Sequence, residues 1–96
     1  MGLKLLSFKG MYMTKKLEGL TRSELRVLHK ILQGKPYKQI AKELFVVEET
    51  IKFHMASIKK KSNQKTLAQV IVHYFDMLPY LEKMDFRMEK EKDESY

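Results

Sequence analysis

The sequence predicts an all-α domain of four helices with a short fifth after Pro79. Apolar residues recur at helical spacing through most of residues 21–78, and recognisable start and stop signals bound each recurrence. No two-residue alternation is convincing, although "LKLLSFKGMYM" could be extended. At 96 residues and 44% hydrophobic, the chain suits one modest core and excludes a two-domain enzyme. It has no cysteine, so neither disulfides nor a thiolate metal site supplement that core. No apolar run approaches the roughly 18 residues of a membrane span. The start "MGLKLLSF" is too short for a signal peptide's apolar region, and Leu6 stands where an N-myristoylation signal after Gly2 needs Ser or Thr. A soluble cytoplasmic protein, associated with the nucleoid, is expected.

The first helix begins at "TRSE", where the Thr21 hydroxyl can accept from the Glu24 amide while the Glu24 side chain reaches back. Leu25, Leu28, Ile31 and Leu32 follow with Val27 on the flank, and Gly34 supplies the stop. Pro36 opens a second helix, "PYKQIAKELF", with Tyr37, Ile40, Ala41 and Leu44 facing inward. A third runs over residues 48–61, and after "SNQK" a fourth spans residues 66–78, closed by Pro79. Leu81, Met84 and Met88 then mark the fifth helix, which dissolves into a charged tail. The expected organisation is an arm over residues 1–18, a domain over 19–78 and an extension over 79–96.

Charge and the third helix carry the functional reading. The net charge is +7, yet residues 1–65 hold 15 Lys and Arg against 5 acids, while residues 66–96 hold 4 against 7. A basic body with an acidic tail is the footprint of a polyanion binder, although many solvated surfaces carry as much. Projected at 100° per residue, Ile51, His54, Met55 and Ile58 face one side of "ETIKFHMASIKKK", and Lys52, Phe53, Ala56, Lys59 and Lys60 the other. An outward Phe among lysines gains nothing from water. In a major groove, Lys52 can donate to guanine, Phe53 can touch a thymine methyl, Ala56 permits close approach, and Lys59, Lys60 and Lys61 meet phosphates. A solvated, dipole-favouring helix end is the competing reading of those three lysines. His54 has a structural role at the core edge. His29 and His73 have no partners at ligand spacing, so no metal or cofactor is expected. No nucleophile triad or phosphate loop appears, and nothing supports an enzyme.

The stretch "LTRSELRVLHKILQGKPYKQIAKELFVVEETIKFHMASIKKK" resembles the LuxR-type (GerE-like) helix-turn-helix DNA-binding domain. The resemblance rests on Leu20-Thr21, Glu24, Val27-Leu28, Gly34, Lys38, Ile40-Ala41, Glu48, Thr50-Ile51-Lys52, His54, Ile58 and Lys61. The promoter-reading region of sigma factors shares part of this pattern, and His54 favours the LuxR type. The resemblance implies base contacts by Lys52, Phe53 and Ala56, and backbone contacts by Thr50, Lys59 and Lys38. The sequence departs from the family at Val47, where a capping Ser or Thr is usual, and at Phe53, which is bulkier than usual.

Apolar residues of the fourth helix cover roughly 220°, more than one packing face needs. A twofold homodimer is expected, with Leu67, Val70, Tyr74 and Met77 at the seam. The alternative is that the chain's own ends cover that seam. The leading expectation is a stand-alone bacterial or phage transcription regulator on pseudo-palindromic double-stranded DNA. Its rivals are an interaction module that binds another regulator or RNA polymerase through the fourth helix, and a sequence-indifferent nucleic-acid binder.

Overall fold

A computed structural model describes residues 15–84. Expectations for most of the N-terminal arm, and for Met88 and the charged tail, lie outside them. The described residues form α1 (Arg22–Leu32), α2 (Tyr37–Leu44), α3 (Glu48–Ser62), α4 (Leu67–Tyr74), a 3-10 turn (Phe75–Met77) and α5 (Leu78–Lys83). No helix among them is long and apolar enough to cross a membrane.

The all-α expectation holds, and α3 packs against both α1 and α2. One core gathers Val27, Leu28 and Ile31 of α1, Ile40 of α2, Ile51, Met55 and Ile58 of α3, Val70 and Tyr74 of α4, Met77, and Leu81 of α5. Full burial of a large aliphatic side chain is worth about 1.5–3 kcal/mol. These residues therefore fix which side of α3 is left outward.

The first three helices end in the same way. After α1, Gly34 takes φ +85°, its N–H donates to the Ile31 carbonyl at 2.9 Å, and the Lys35 N–H donates to the Lys30 carbonyl at 3.2 Å. This paired arrangement recurs at Phe45 (φ 60°) after α2 and at Asn63 (φ 59°) after α3. Gly34 announces its turn in the sequence. Phe45 does not, because a bulky residue in the left-handed region pays a steric cost of about 1–2 kcal/mol that tertiary structure must cover.

Pro79 does not close the fourth helix. Continued α-helix would drive its ring into the Phe75 carbonyl and would lack the N–H to bond it. The chain therefore leaves α4 at Tyr74, tightens into the 3-10 turn, and uses Pro79 in the first turn of α5, where a missing N–H costs nothing. The helix α5 folds back onto α1. There Glu82 Oε2 lies 3.2 Å from His29 Nε2 and accepts from Gln33 Nε2 at 3.3 Å.

This return corrects the expected seam. Val70, Tyr74 and Met77 form the inward stripe of the α4 region and lie in the core of a single chain, with Leu67 half-buried against it. Burial pushes the Tyr74 phenol upward in pKa, while a hydrogen bond with the Ser62 side chain opposes this. The outward stripe is instead Ala68, Val72 and Phe75, the last two 79% and 59% exposed.

The helix ends predict opposite effects of two substitutions. A Cβ on Gly34 meets nothing within 4 Å, so Gly34→Ala tests backbone conformation alone and should cost about 1 kcal/mol. Phe45→Gly should gain a similar amount, about 1 kcal/mol. Urea melts of both variants check this; equal stabilities would contradict it.

Candidate nucleic-acid interface

The placement of α3 begins at the other end of the domain. Thr21 and Glu24 form the expected capping box: Glu24 N–H donates to Thr21 Oγ1 at 3.1 Å, and Thr21 N–H donates to Glu24 Oε1 at 2.9 Å. The carboxylate also reaches across the fold. Lys61 Nζ donates to Glu24 Oε1 at 2.8 Å and to the Gly19 carbonyl at 2.8 Å, and Ser57 Oγ donates to Glu24 Oε2 at 2.6 Å. The C-terminal half of α3 is thus tied to the first turn of α1. Burial pushes the Glu24 carboxyl upward in pKa, but hydrogen bonds from Lys61, Ser57 and the Thr21 backbone outweigh it and hold the group below its ordinary value.

Lys61 was expected among the phosphate contacts, and the structure gives it an internal carboxylate partner. Its ammonium is committed to Glu24 and Gly19, because a buried carboxylate without a counter-charge is far costlier than a solvated lysine. No sequence spacing could have paired residues 37 apart, although Glu24 and Lys61 both belong to the pattern that carries the family resemblance.

Another acid of the basic half, Glu43, is also held internally. Glu43 is 2.7 Å from Lys30 Nζ and 2.9 Å from Lys35 Nζ, and it accepts from Gln39. Hydrogen bonds from Lys30, Gln39 and Lys35 draw its pKa down to about 2. Among the described residues, Lys38, Lys42, Lys59 and Lys60 have no carboxylate partner. Glu24 and Glu43 are held internally, and Lys38, Lys42, Lys59 and Lys60 of α2 and α3 are left over.

The outward face of α3 is the one the spacing predicts. Lys52, Phe53, Ala56 and Lys60 are exposed, Phe53 at 71%, while Ile51, Met55 and Ile58 are buried beneath. Thr50 and Lys59 lie half-buried at the flanks, and Lys38 is exposed on α2. His54 sits at the core edge, its ring meeting the Phe53 ring edge-on at 5.8 Å. Burial lowers its pKa against a smaller opposing pull from the Glu24 charge. Val47 makes no side-chain cap, and the carboxylates of Glu48 and Glu49 occupy the first turn instead. One signal was missed in the sequence: "TLAQ" is a second capping box, with Gln69 N–H donating to Thr66 Oγ1 at 3.1 Å and Gln69 Oε1 accepting from Thr66 N–H. No cluster of three or more His, Asp or Glu fit for a metal occurs among the described residues.

The family model for bacterial regulatory proteins of the luxR family matches residues 18–74. The chain belongs to the luxR family. Similar proteins include a nitrate/nitrite response regulator homolog of Haemophilus influenzae, 38% identical over 60 residues, which are 62% of this chain and 29% of that protein. LiaR, a transcriptional regulatory protein of Bacillus subtilis, is 40% identical over 58 residues, 58% of this chain and 28% of its own length. The spore germination protein GerE of the same species is 34% identical over 58 residues, 60% of this chain and 78% of GerE. The match thus spans under a third of the length of the first two of these relatives. No solved structure matches the chain significantly. The luxR-family match ends at Tyr74, so the 3-10 turn and α5 lie beyond it. Residues 18–74 are thus a helix-turn-helix domain of the luxR-family type.

The Glu24 brace makes stability depend on acid. With a folded-state pKa below the ordinary 4.5, Glu24 contributes full stability above that value and loses it as pH falls through the folded pKa. Thermal midpoints should therefore decline below about pH 4.5, and Glu24→Gln should flatten that decline while lowering the midpoint at pH 7. An unchanged acid profile in the variant would contradict the assignment.

Proposed function

We propose that this luxR-family domain binds double-stranded DNA sequence-specifically as a homodimer, with α3 in the major groove. The observation that carries the reading is the outward stripe of α3, where donors, an exposed aromatic ring and a small residue lie together over a rigid core face. Lys52 donates to guanine O6 and N7, Phe53 covers a thymine methyl, and Ala56 lets the helix approach the base edges. Lys38, Lys59 and Lys60 meet phosphates, supported by their lack of carboxylate partners, and Thr50 lies at the same flank.

The dimer reading moves to the surface that the fold leaves open. Val72 and Phe75 are the exposed large apolar residues of the α4 region, with Ala68 on the same stripe. A second copy related by a twofold axis would cover both stripes at once and set two α3 helices on half-sites about one helical turn apart. We place the protein in the cytoplasm, on the nucleoid.

Selection of random duplex DNA at about 150 mM salt, where purely electrostatic binding weakens, should enrich a pseudo-palindrome. On that site Lys52→Ala should cost about 1–3 kcal/mol and relax one base position, whereas Lys60→Ala should weaken all sequences alike and reduce the salt slope by about 1. Equal losses for both variants on selected and random DNA would oppose base reading. Val72→Asp should leave the fold intact and convert dimer to monomer in sedimentation. A parent protein that is already monomeric would turn the α4 surface toward a different protein partner.

A further inference from the structure

The outward stripe of α3 holds one side chain of the wrong sign for a polyanion. Glu49 is 83% exposed and precedes Lys52, Phe53 and Ala56 by three, four and seven residues, so it shares their face. Its Oε2 lies 3.9 Å from Lys52 Nζ. In a groove walled by phosphates, an exposed carboxylate is repelled unless it meets a donor. The major groove offers two, cytosine N4 and adenine N6. Adenine sets its N7 acceptor beside that donor, which suits an amide and opposes a carboxylate; cytosine presents its amino group without one. Across the same base pair, guanine O6 and N7 are acceptors. A G·C pair therefore displays a donor beside acceptors, the complement of a carboxylate and an ammonium held one helical turn apart.

Building on the reading of α3 as the base-reading helix, we propose that Glu49 determines specificity. Glu49 accepts from cytosine N4 while Lys52 donates to guanine O6 and N7 of the same pair. The two side chains, already within ion-pair range, act as one reader of a single G·C pair. Glu49 is the acidic member of the stripe, and its charge raises the cost of an A·T pair, where the adenine N6 donor is flanked by the acceptors N7 and O4. A blander role competes. With no side-chain cap at Val47, Glu48 and Glu49 both favour the helix start through the dipole. Glu48 lies 100° around the helix from Glu49 and shares only that blander role, which makes it the control.

The test is duplex selection and affinity measurement with the parent, Glu48→Gln, Glu49→Gln and Lys52→Ala, each checked for an unchanged helical signal and thermal midpoint. Glu49→Gln should lose roughly tenfold of the discrimination against A·T at one G·C position. Lys52→Ala should relax that same position, and Glu48→Gln should leave it intact. If both glutamine variants bind every duplex more tightly by one factor, with the selected sequence unchanged, Glu49 is only a charge at the helix start. If Glu49→Gln and Lys52→Ala relax different positions, the shared base pair is wrong. A parent that selects no sequence overturns the base-reading function, and this inference falls with it.

Discussion

The presentation of α3 depends on one carboxylate. Glu24 accepts from the Thr21 N–H to complete the capping box of the first helix, and it also accepts from Ser57 and Lys61 on α3. Nearly buried, it would be costly to ionise alone, and the ammonium of Lys61 is what permits it. The link gives that carboxylate its counter-charge and fixes the rotation of α3 about its axis. Apolar packing of Ile51, Met55 and Ile58 sets the same rotation from the other direction. Two independent constraints that agree give the outward stripe a defined geometry, which a base-reading surface needs.

The distribution of charge follows the same division. Glu24 and Glu43 are held in internal networks by Lys61, Lys30 and Lys35. A count of charges alone would have missed that Lys61 is paired with Glu24. The useful quantity is the set of cations left after the internal pairs are removed, and among the described residues that set includes Lys38 and Lys42 of α2 and Lys59 and Lys60 of α3.

How much of this was legible in the sequence depended on how local each interaction is. The capping box at Thr21, the turn at Gly34 and the inward face of α3 are encoded within a few residues and were read correctly. The Glu24–Lys61 pair joins distant residues, and spacing carries no sign of it. Phe45 adopts a left-handed conformation that its own side chain disfavours, so only the surrounding fold explains it. The largest error concerned α4. Its wide apolar arc was visible, but which stripe turned inward depended on the 3-10 turn that Pro79 imposes and on the return of Leu81 to the core. Val70, Tyr74 and Met77 were therefore assigned to the wrong side, whereas Lys52, Phe53 and Ala56, set by a regular helix, were placed on the exposed one.

The central claim is that the outward stripe of α3 is the surface that meets DNA. Amide shift mapping by NMR, with labelled protein titrated with the duplex it selects, tests this most directly. The account predicts the largest changes at Lys52, Phe53, Ala56 and Lys60, with Ile51 and Ile58 little altered beneath them. Changes centred on Ala68, Val72 and Phe75 in already dimeric protein, with α3 unmoved, would contradict it.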